Sequence, residues 1–253
     1  MRLVGLGVGP GDPEMLTLAG LREIREASTV FVPVLAAEEQ GRAEAVVRAH
    51  LEPGDSRVQR LVFALSDPVA GSQERRRRHW DSAAEAVAGR LRAESGTVVF
   101  ATLGDPALYS TFTYLAEGVR ELLPQVEVVT VPGITAMQAT ASASGVALTE
   151  GTEPLTVVPV TRDVAALREA LRSAGTVVAY KGGRRLGELR AAISDSGALE
   201  RTVYAEHLGT PDARVLPLSE LDMSDVDGEV VDAAPYLSTL VVLPPRGGRG
   251  EQL

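Results

Sequence analysis

The sequence predicts an α/β protein, two small α/β domains built on mostly parallel sheets. Three observations predict it. Short apolar, β-branched runs alternate with longer stretches of helical spacing, the rhythm of strand–helix–strand units. About ten such runs are too many for one small sheet and fit two. Four glycine-bearing loops each follow a strand, where open α/β sheets hold their ligands.

The elements follow in order. Leu3 to Val8 is an apolar run ending in glycines, as a buried parallel strand does. Met15 to Glu26 carries Leu18, Leu21 and Ile24 at helical spacing. Thr29 to Pro33 is a short strand, and Arg42 to Leu51 a helix stopped by Pro53-Gly54. Val58 to Phe63 is strand-like. Ser72 to Glu94 is a long helix with Ala83, Val87 and Leu91 on its apolar face. Thr97 to Ala101 is a strand, Tyr109 to Leu122 a helix and Val126 to Val131 a strand. The second half repeats this rhythm. Helices are expected over Ala136 to Ser144, Val164 to Ala174 and Gly187 to Ser194. Strands are expected over Leu155 to Val160, Thr176 to Tyr180, Thr202 to Glu206 and Tyr236 to Leu243, while Gly228 to Ala234 is ambiguous. The domain boundary falls at Pro132-Gly133, giving domains over 1–132 and 133–244. The glycine-rich charged tail, 245–253, is expected to be disordered.

Composition narrows the function. The chain has 253 residues, no cysteine and a net charge of −9. Disulfides, thiolate metal sites and thiol nucleophiles are therefore excluded. The negative balance gives no electrostatic reason to bind nucleic acid or an anionic membrane. No apolar run reaches the roughly 18–20 residues of a membrane span, and the start shows no signal-peptide pattern. A soluble cytoplasmic protein is expected. Lys181 is the sole lysine; all other Lys/Arg positions are arginine.

The first loop is Gly5-Leu6-Gly7-Val8-Gly9-Pro10-Gly11-Asp12. It is not a dinucleotide fingerprint, because Pro10 interrupts the helix start and no acid ends the second strand. Thr17 is placed either to cap the next helix or to serve a ligand. The second loop runs from Leu103 through Gly104-Asp105-Pro106 to Leu108, Tyr109, Ser110 and Thr111. Asp105 there either caps a helix start or accepts hydrogen bonds from a ribose or amino group. Tyr109 is either core or faces a planar ligand. The third loop is Val131-Pro132-Gly133-Ile134-Thr135-Ala136. The fourth is Tyr180-Lys181-Gly182-Gly183-Arg184-Arg185, either a solvated basic turn or a carboxylate-binding rim. Arg75 to Arg78 precede His79 and Trp80 on a helix start. The spacing of His50, His79 and His207 argues against zinc. No metal site is expected.

Taken together, the ordered set GLGVGPGDPEMLTL, TLGDPALYSTFTYL, VPGITAMQATAS and YKGGRR resembles the tetrapyrrole (corrin and porphyrin) methylase family. The resemblance runs to about Leu243. Val8 to Glu14, Phe63 with Trp80 downstream, above all Gly104-Asp105-Pro106 followed by Tyr109 to Phe112, and Leu148 to Gly151 with Glu153 resemble the branch acting at C-20 of precorrin-2 in cobalamin biosynthesis. Ala64-Leu65 and Ala101 depart from that branch. The resemblance implies two α/β domains with a cofactor trough between them, a homodimer, and S-adenosylmethionine as methyl donor, leaving as S-adenosylhomocysteine. Carried over by motif, the cofactor contacts are Val8, Leu103, Gly104, Asp105, Leu108, Thr135, Ala136, Lys181, Val203, Tyr204, Thr239 and Leu240. Pro10, Tyr109, Arg184 and Arg185 are the substrate-side candidates. No proton acceptor stands out. The alternatives are a sibling corrin methylase, including one acting on the cobalt-containing precursor, and a non-catalytic module that only binds S-adenosylmethionine.

Overall fold

The computed structural model describes residues 1–63, 72–94, 96–223 and 237–247. The chain divides into two compact units, Met1–Thr135 and Ala136–Leu253. The ambiguous Gly228 to Ala234 stretch, Ala64-Leu65, Tyr236 and the tail residues 248–253 lie outside the described residues. Among the described residues no helix is long and apolar enough to cross a membrane.

In the first unit, β1 (Arg2–Gly7), β2 (Thr29–Val34), β3 (Val58–Val62), β4 (Thr97–Thr102) and β5 (Glu127–Val131) form one sheet in the order β3-β2-β4-β1-β5. All its pairings are parallel. Helices α1 (Leu18–Glu26) and α2 (Arg42–Arg48) cover one face, packing Ile24, Val46 and Val47 against Val4, Leu6 and Val30. Helices α3 (Ser72–Ala93) and α4 (Phe112–Leu122) cover the other, packing Val87, Leu91 and Leu115 against Leu3, Phe63 and Phe100. Two covered faces explain why β1 reads as an unbroken apolar run. Each fully buried large side chain contributes roughly 1.5–3 kcal/mol. Thr17 proves to be a helix cap, its hydroxyl accepting the Gly20 N–H at 3.0 Å. The α1 helix itself starts at Leu18, after a separate 3-10 turn over Pro13–Met15.

The connections place a crevice. The chain leaves β1 through α1 and passes β4 to reach β2, whereas it leaves β4 through α4 and passes β1 to reach β5. The two loops therefore diverge from adjacent strands. Such a reversal point, at the carboxyl ends of the strands, is where open α/β sheets bind ligands.

In the second unit, β6 (Leu155–Pro159), β7 (Thr176–Tyr180), β8 (Thr202–Glu206), β9 (Arg214–Pro217) and β10 (Thr239–Val242) are ordered β6-β7-β10-β8-β9. Here the mostly parallel expectation is corrected. Only β6 and β7 pair in parallel; β10 runs antiparallel to β7 and β8, and β9 antiparallel to β8. Residues 207–213 are too few to cross over the sheet, so β9 must fold back on β8. Strand β9 itself was not expected; it is four half-exposed edge residues ending in Pro217. Helices α6 (Ala165–Ala170) and α7 (Leu186–Asp195) cover one face, and α5 (Ala136–Ser144) lies on the other.

The described part of the tail is anchored rather than disordered. The Arg246 guanidinium grips the Glu153 carboxylate at 2.7 Å and donates to the Ala147 and Leu148 carbonyls.

Candidate functional site

The crevice of the first unit is built from backbone. The Val8 N–H donates to the Thr102 carbonyl at 2.9 Å, continuing the ladder beyond β1. Gly9 and Gly104 then exchange two hydrogen bonds, 3.3 and 2.8 Å, in an isolated antiparallel bridge. Both have positive φ, 79° and 67°, the region that favours glycine. Gly7, Gly104 and Gly133 nest against one another. A Cβ on Gly7 would stand 2.5 Å from the Gly104 carbonyl oxygen and 2.6 Å from the Gly133 nitrogen. The glycines thus let the loops after β1, β4 and β5 converge.

Asp105 holds these loops in place. Its Oδ1 accepts the Ala107 N–H at 2.7 Å and its Oδ2 accepts the Gly133 N–H at 3.0 Å. The first bond closes a local turn and the second ties the β4 loop to the β5 loop. The expected position at a helix start is corrected, because α4 begins only at Phe112. Tyr109 explains the delay. Its φ is +53°, outside the helical region, and the residue is 42% exposed. Burial pushes its phenol pKa above the ordinary value. Ser110 braces this turn, donating to the Thr102 hydroxyl at 3.1 Å and accepting the Phe112 N–H at 3.1 Å.

The other residues named from sequence fall into two sets. Around the first crevice, Val8 has its side chain in the core, so it can offer a ligand only backbone. Pro10 and Thr135 are buried, Leu103 and Leu108 half-buried. In the second unit, Lys181 directly follows β7 with φ +63°, and burial pushes its amine pKa down. Ala136 opens α5, and the next residue, Met137, donates its N–H to the Tyr180 hydroxyl at 2.8 Å. Thr239 pairs with Tyr180 and Ala205 at the start of β10. Val203, Tyr204 and Leu240 lie within strands, and the Tyr204 and Leu240 side chains are in the core under α6 and α7. Tyr204 donates its hydroxyl to the buried Glu206 carboxylate at 2.6 Å, and burial pushes that phenol far above its usual range.

The basic candidates separate. Arg185 is paired with Glu188 at 2.5 Å, whereas Arg184 is exposed. Arg77 and Arg78 are exposed on α3; the Arg75 and Arg76 side chains lie outside the described ones. Nearby, Trp80 stacks on Tyr114 with ring centroids 4.3 Å apart. That stack, the Gly9–Gly104 bridge and the left-handed His207 (φ +52°) were not foreseen. The strand-end GDP-x-x-Y pattern was the one available signal for the bridge, since its Gly104, like Gly9, takes a positive φ that favours glycine.

The model of the family of tetrapyrrole (corrin/porphyrin) methylases matches residues 2–222. The chain belongs to that family. Tetrapyrrole methylases use S-adenosylmethionine, so this one is an S-adenosylmethionine-dependent C-methyltransferase. The chain is 33% identical to a precorrin-2 C(20)-methyltransferase from Sinorhizobium sp., across 95% of this chain and 94% of that one. It is also 33% identical to the cobalamin biosynthesis protein CobIJ of Mycobacterium tuberculosis, across 99% of this chain but 47% of that protein. Among solved structures, a uroporphyrin-III C-methyl transferase from Thermus thermophilus complexed with S-adenosylhomocysteine aligns with a TM-score of 0.60. It is 26% identical, covering 96% of this chain and 97% of that one.

The first crevice fits such a cofactor. Nested glycines leave peptide groups uncovered by side chains, which suits a ligand read through hydrogen bonds to backbone.

Proposed function

We propose that this methylase transfers a methyl group to C-20 of precorrin-2, and that its loops after β1, β4 and β5 hold S-adenosylmethionine. The observation that carries the substrate reading is the likeness to the Sinorhizobium protein along nearly the whole of both chains. The nested glycines and the Asp105 tie support the cofactor reading.

When bound, the cofactor supplies a methyl group already activated by its sulfonium. A meso carbon of a reduced tetrapyrrole is itself electron-rich, so the chain's task is alignment and water exclusion. Asp105 keeps the β4 and β5 loops at fixed separation. Gly104, Leu103 and Leu108 offer backbone and apolar wall, with Thr135 and Ala136 continuing the same loop. Lys181, Val203, Tyr204, Thr239 and Leu240 complete the cofactor contacts carried over from the resemblance; Tyr204 and Leu240, with their side chains in the core, contribute through backbone. On the substrate side we place Pro10, Tyr109 and Arg184, whose exposed guanidinium suits a carboxylate. The cytoplasmic homodimer implied by the resemblance belongs to this reading; light scattering of the purified chain would test the dimer.

Incubating the chain with S-adenosylmethionine and metal-free precorrin-2 tests the reading. One methylene of added mass, dependent on both partners, is expected. Methylation of only the cobalt-containing precursor would move the chain to the sibling reading. Cofactor binding without transfer to either would make it a binding module.

A further inference from the structure

We propose that Ser110 is a positioning residue for methyl transfer, its hydroxyl bridge to Thr102 holding Tyr109 in place beside the crevice of the first unit. The inference rests on the functional reading above, which puts Tyr109 on the substrate side, and names what keeps that residue there.

Two aromatic neighbours part company across this turn. Phe112 is 3% exposed, and a Cβ on Gly5 of β1 would overlap its ring. The ring centroid lies 6.1 Å from that of Phe100 in the core. Three residues earlier Tyr109 stands 42% exposed at φ +53°. A turn alone would be served by glycine, which takes the same region without strain at Gly9 and Gly104. A tyrosine there carries a conformational cost, and such outliers gather at functional sites. The side chain is therefore what the position keeps.

Ser110 sustains the strained residue next to it. Its hydroxyl donates to the Thr102 hydroxyl at 3.1 Å and accepts the Phe112 N–H at 3.1 Å. Thr111, the cap residue of α4, makes no side-chain cap bond, so Ser110 supplies that acceptor instead. The donation to Thr102 goes beyond what a cap needs. Thr102 is buried at the end of β4, paired with Gly7, and its carbonyl accepts the Val8 N–H at 2.9 Å. One residue thus holds the first loop by its carbonyl and the Tyr109 turn by its hydroxyl. The cofactor end of the same loop is fixed separately, by the Gly9–Gly104 bridge and by the Asp105 bonds to Ala107 and Gly133. Removing the Ser110 bridge should release Tyr109 and leave the cofactor frame standing.

The test uses Ser110→Ala, which removes both bonds, and Thr102→Val, which removes only the bridge and keeps the Val8 and Phe112 contacts. Both should bind S-adenosylhomocysteine within about threefold of wild type, while kcat/KM for precorrin-2 falls about fivefold to thirtyfold. Ser110→Thr, which keeps the hydroxyl, should restore kcat/KM to within about twofold of wild type. Tyr109→Ala should lose at least as much as Ser110→Ala, and adding Ser110→Ala to it should change kcat/KM by less than about twofold, because the two residues act as one unit. Should Ser110→Ala fail to fold, Thr102→Val carries the same comparison. Losses that multiply in the double variant would show that the hydroxyl does not act through Tyr109 and overturn the assignment. So would normal turnover by Thr102→Val or Tyr109→Ala, or a cofactor affinity that falls as far as turnover. A wild-type chain that binds cofactor but leaves precorrin-2 unmethylated overturns the functional reading instead.

Discussion

The Asp105 carboxylate accepts the Gly133 N–H at 3.0 Å, joining the loop after β4 to the loop after β5. One side chain thereby sets the geometry of a crevice otherwise made of backbone. Replacing Asp105 with asparagine can keep the Ala107 bond, but it turns an amide donor toward the Gly133 N–H. Hydrogen bonds to a charged acceptor contribute about 1.5–3 kcal/mol. Asp105→Asn should therefore weaken S-adenosylhomocysteine at least about tenfold by calorimetry. Unchanged affinity would show that the loops hold together without this tie.

Glycine nesting makes a sharper contrast. A Cβ on Gly133 would run into the Gly104 carbonyl and the Gly7 backbone, whereas one on exposed Gly89 in α3 meets nothing within 4 Å. Gly133→Ala should abolish cofactor binding or folding. Gly89→Ala should stabilise the chain by about 0.5–1 kcal/mol in urea melts, since glycine is a poor helix former. A Gly133→Ala chain that folds and binds normally would remove the close approach from the account.

Acid should strike at Glu44. Its carboxylate is fully buried, yet Arg48 and Arg60 each donate to it at 2.7 Å. Burial pushes its pKa up, and the hydrogen bonds from Arg60 and Arg48 more than offset that, leaving it below the ordinary carboxylate value. A lowered folded pKa stabilises above the unfolded value, and that stability is lost as pH falls through the folded one. Glu44→Gln should cost about 2 kcal/mol at neutral pH, since both arginines remain partly hydrated. It should also flatten the loss of stability below about pH 4.5. Urea melts at neutral and acid pH would show both effects.

The two arginines of the fourth loop should behave differently. Arg185 already has Glu188 as partner, while Arg184 is exposed. Arg184→Ala should raise the KM for the tetrapyrrole about fivefold to tenfold, with cofactor affinity unchanged, and added salt should weaken the wild type more than the variant. Arg185→Ala should do less. Equal KM values for all three proteins would return the loop to a solvated turn.

Much of this arrangement was legible in the residues. The first sheet could be read because burial on both faces leaves continuous apolar strands, as in Leu3 to Val8. The second sheet could be read only in part. Periodicity locates Thr202 to Glu206 but carries no direction, and the edge strand Arg214–Pro217 is short, half-exposed and ended by proline. The glycines marked the loops, but which backbone each one admits is a tertiary fact. Asp105 could be placed at the crevice from Gly104-Asp105-Pro106, whereas its bond to Gly133 spans 28 residues and leaves no local trace. Arg246 was assigned to a disordered tail on composition alone, because its partner Glu153 is far away in sequence.

The most direct measurement is 13C NMR of the tetrapyrrole formed from precorrin-2 and S-adenosylmethionine labelled at its methyl carbon. The account predicts one enriched methyl resonance on C-20, with loss of the proton signal of that meso carbon. Label on any other ring carbon, or none at all from a chain that binds the cofactor, would contradict it.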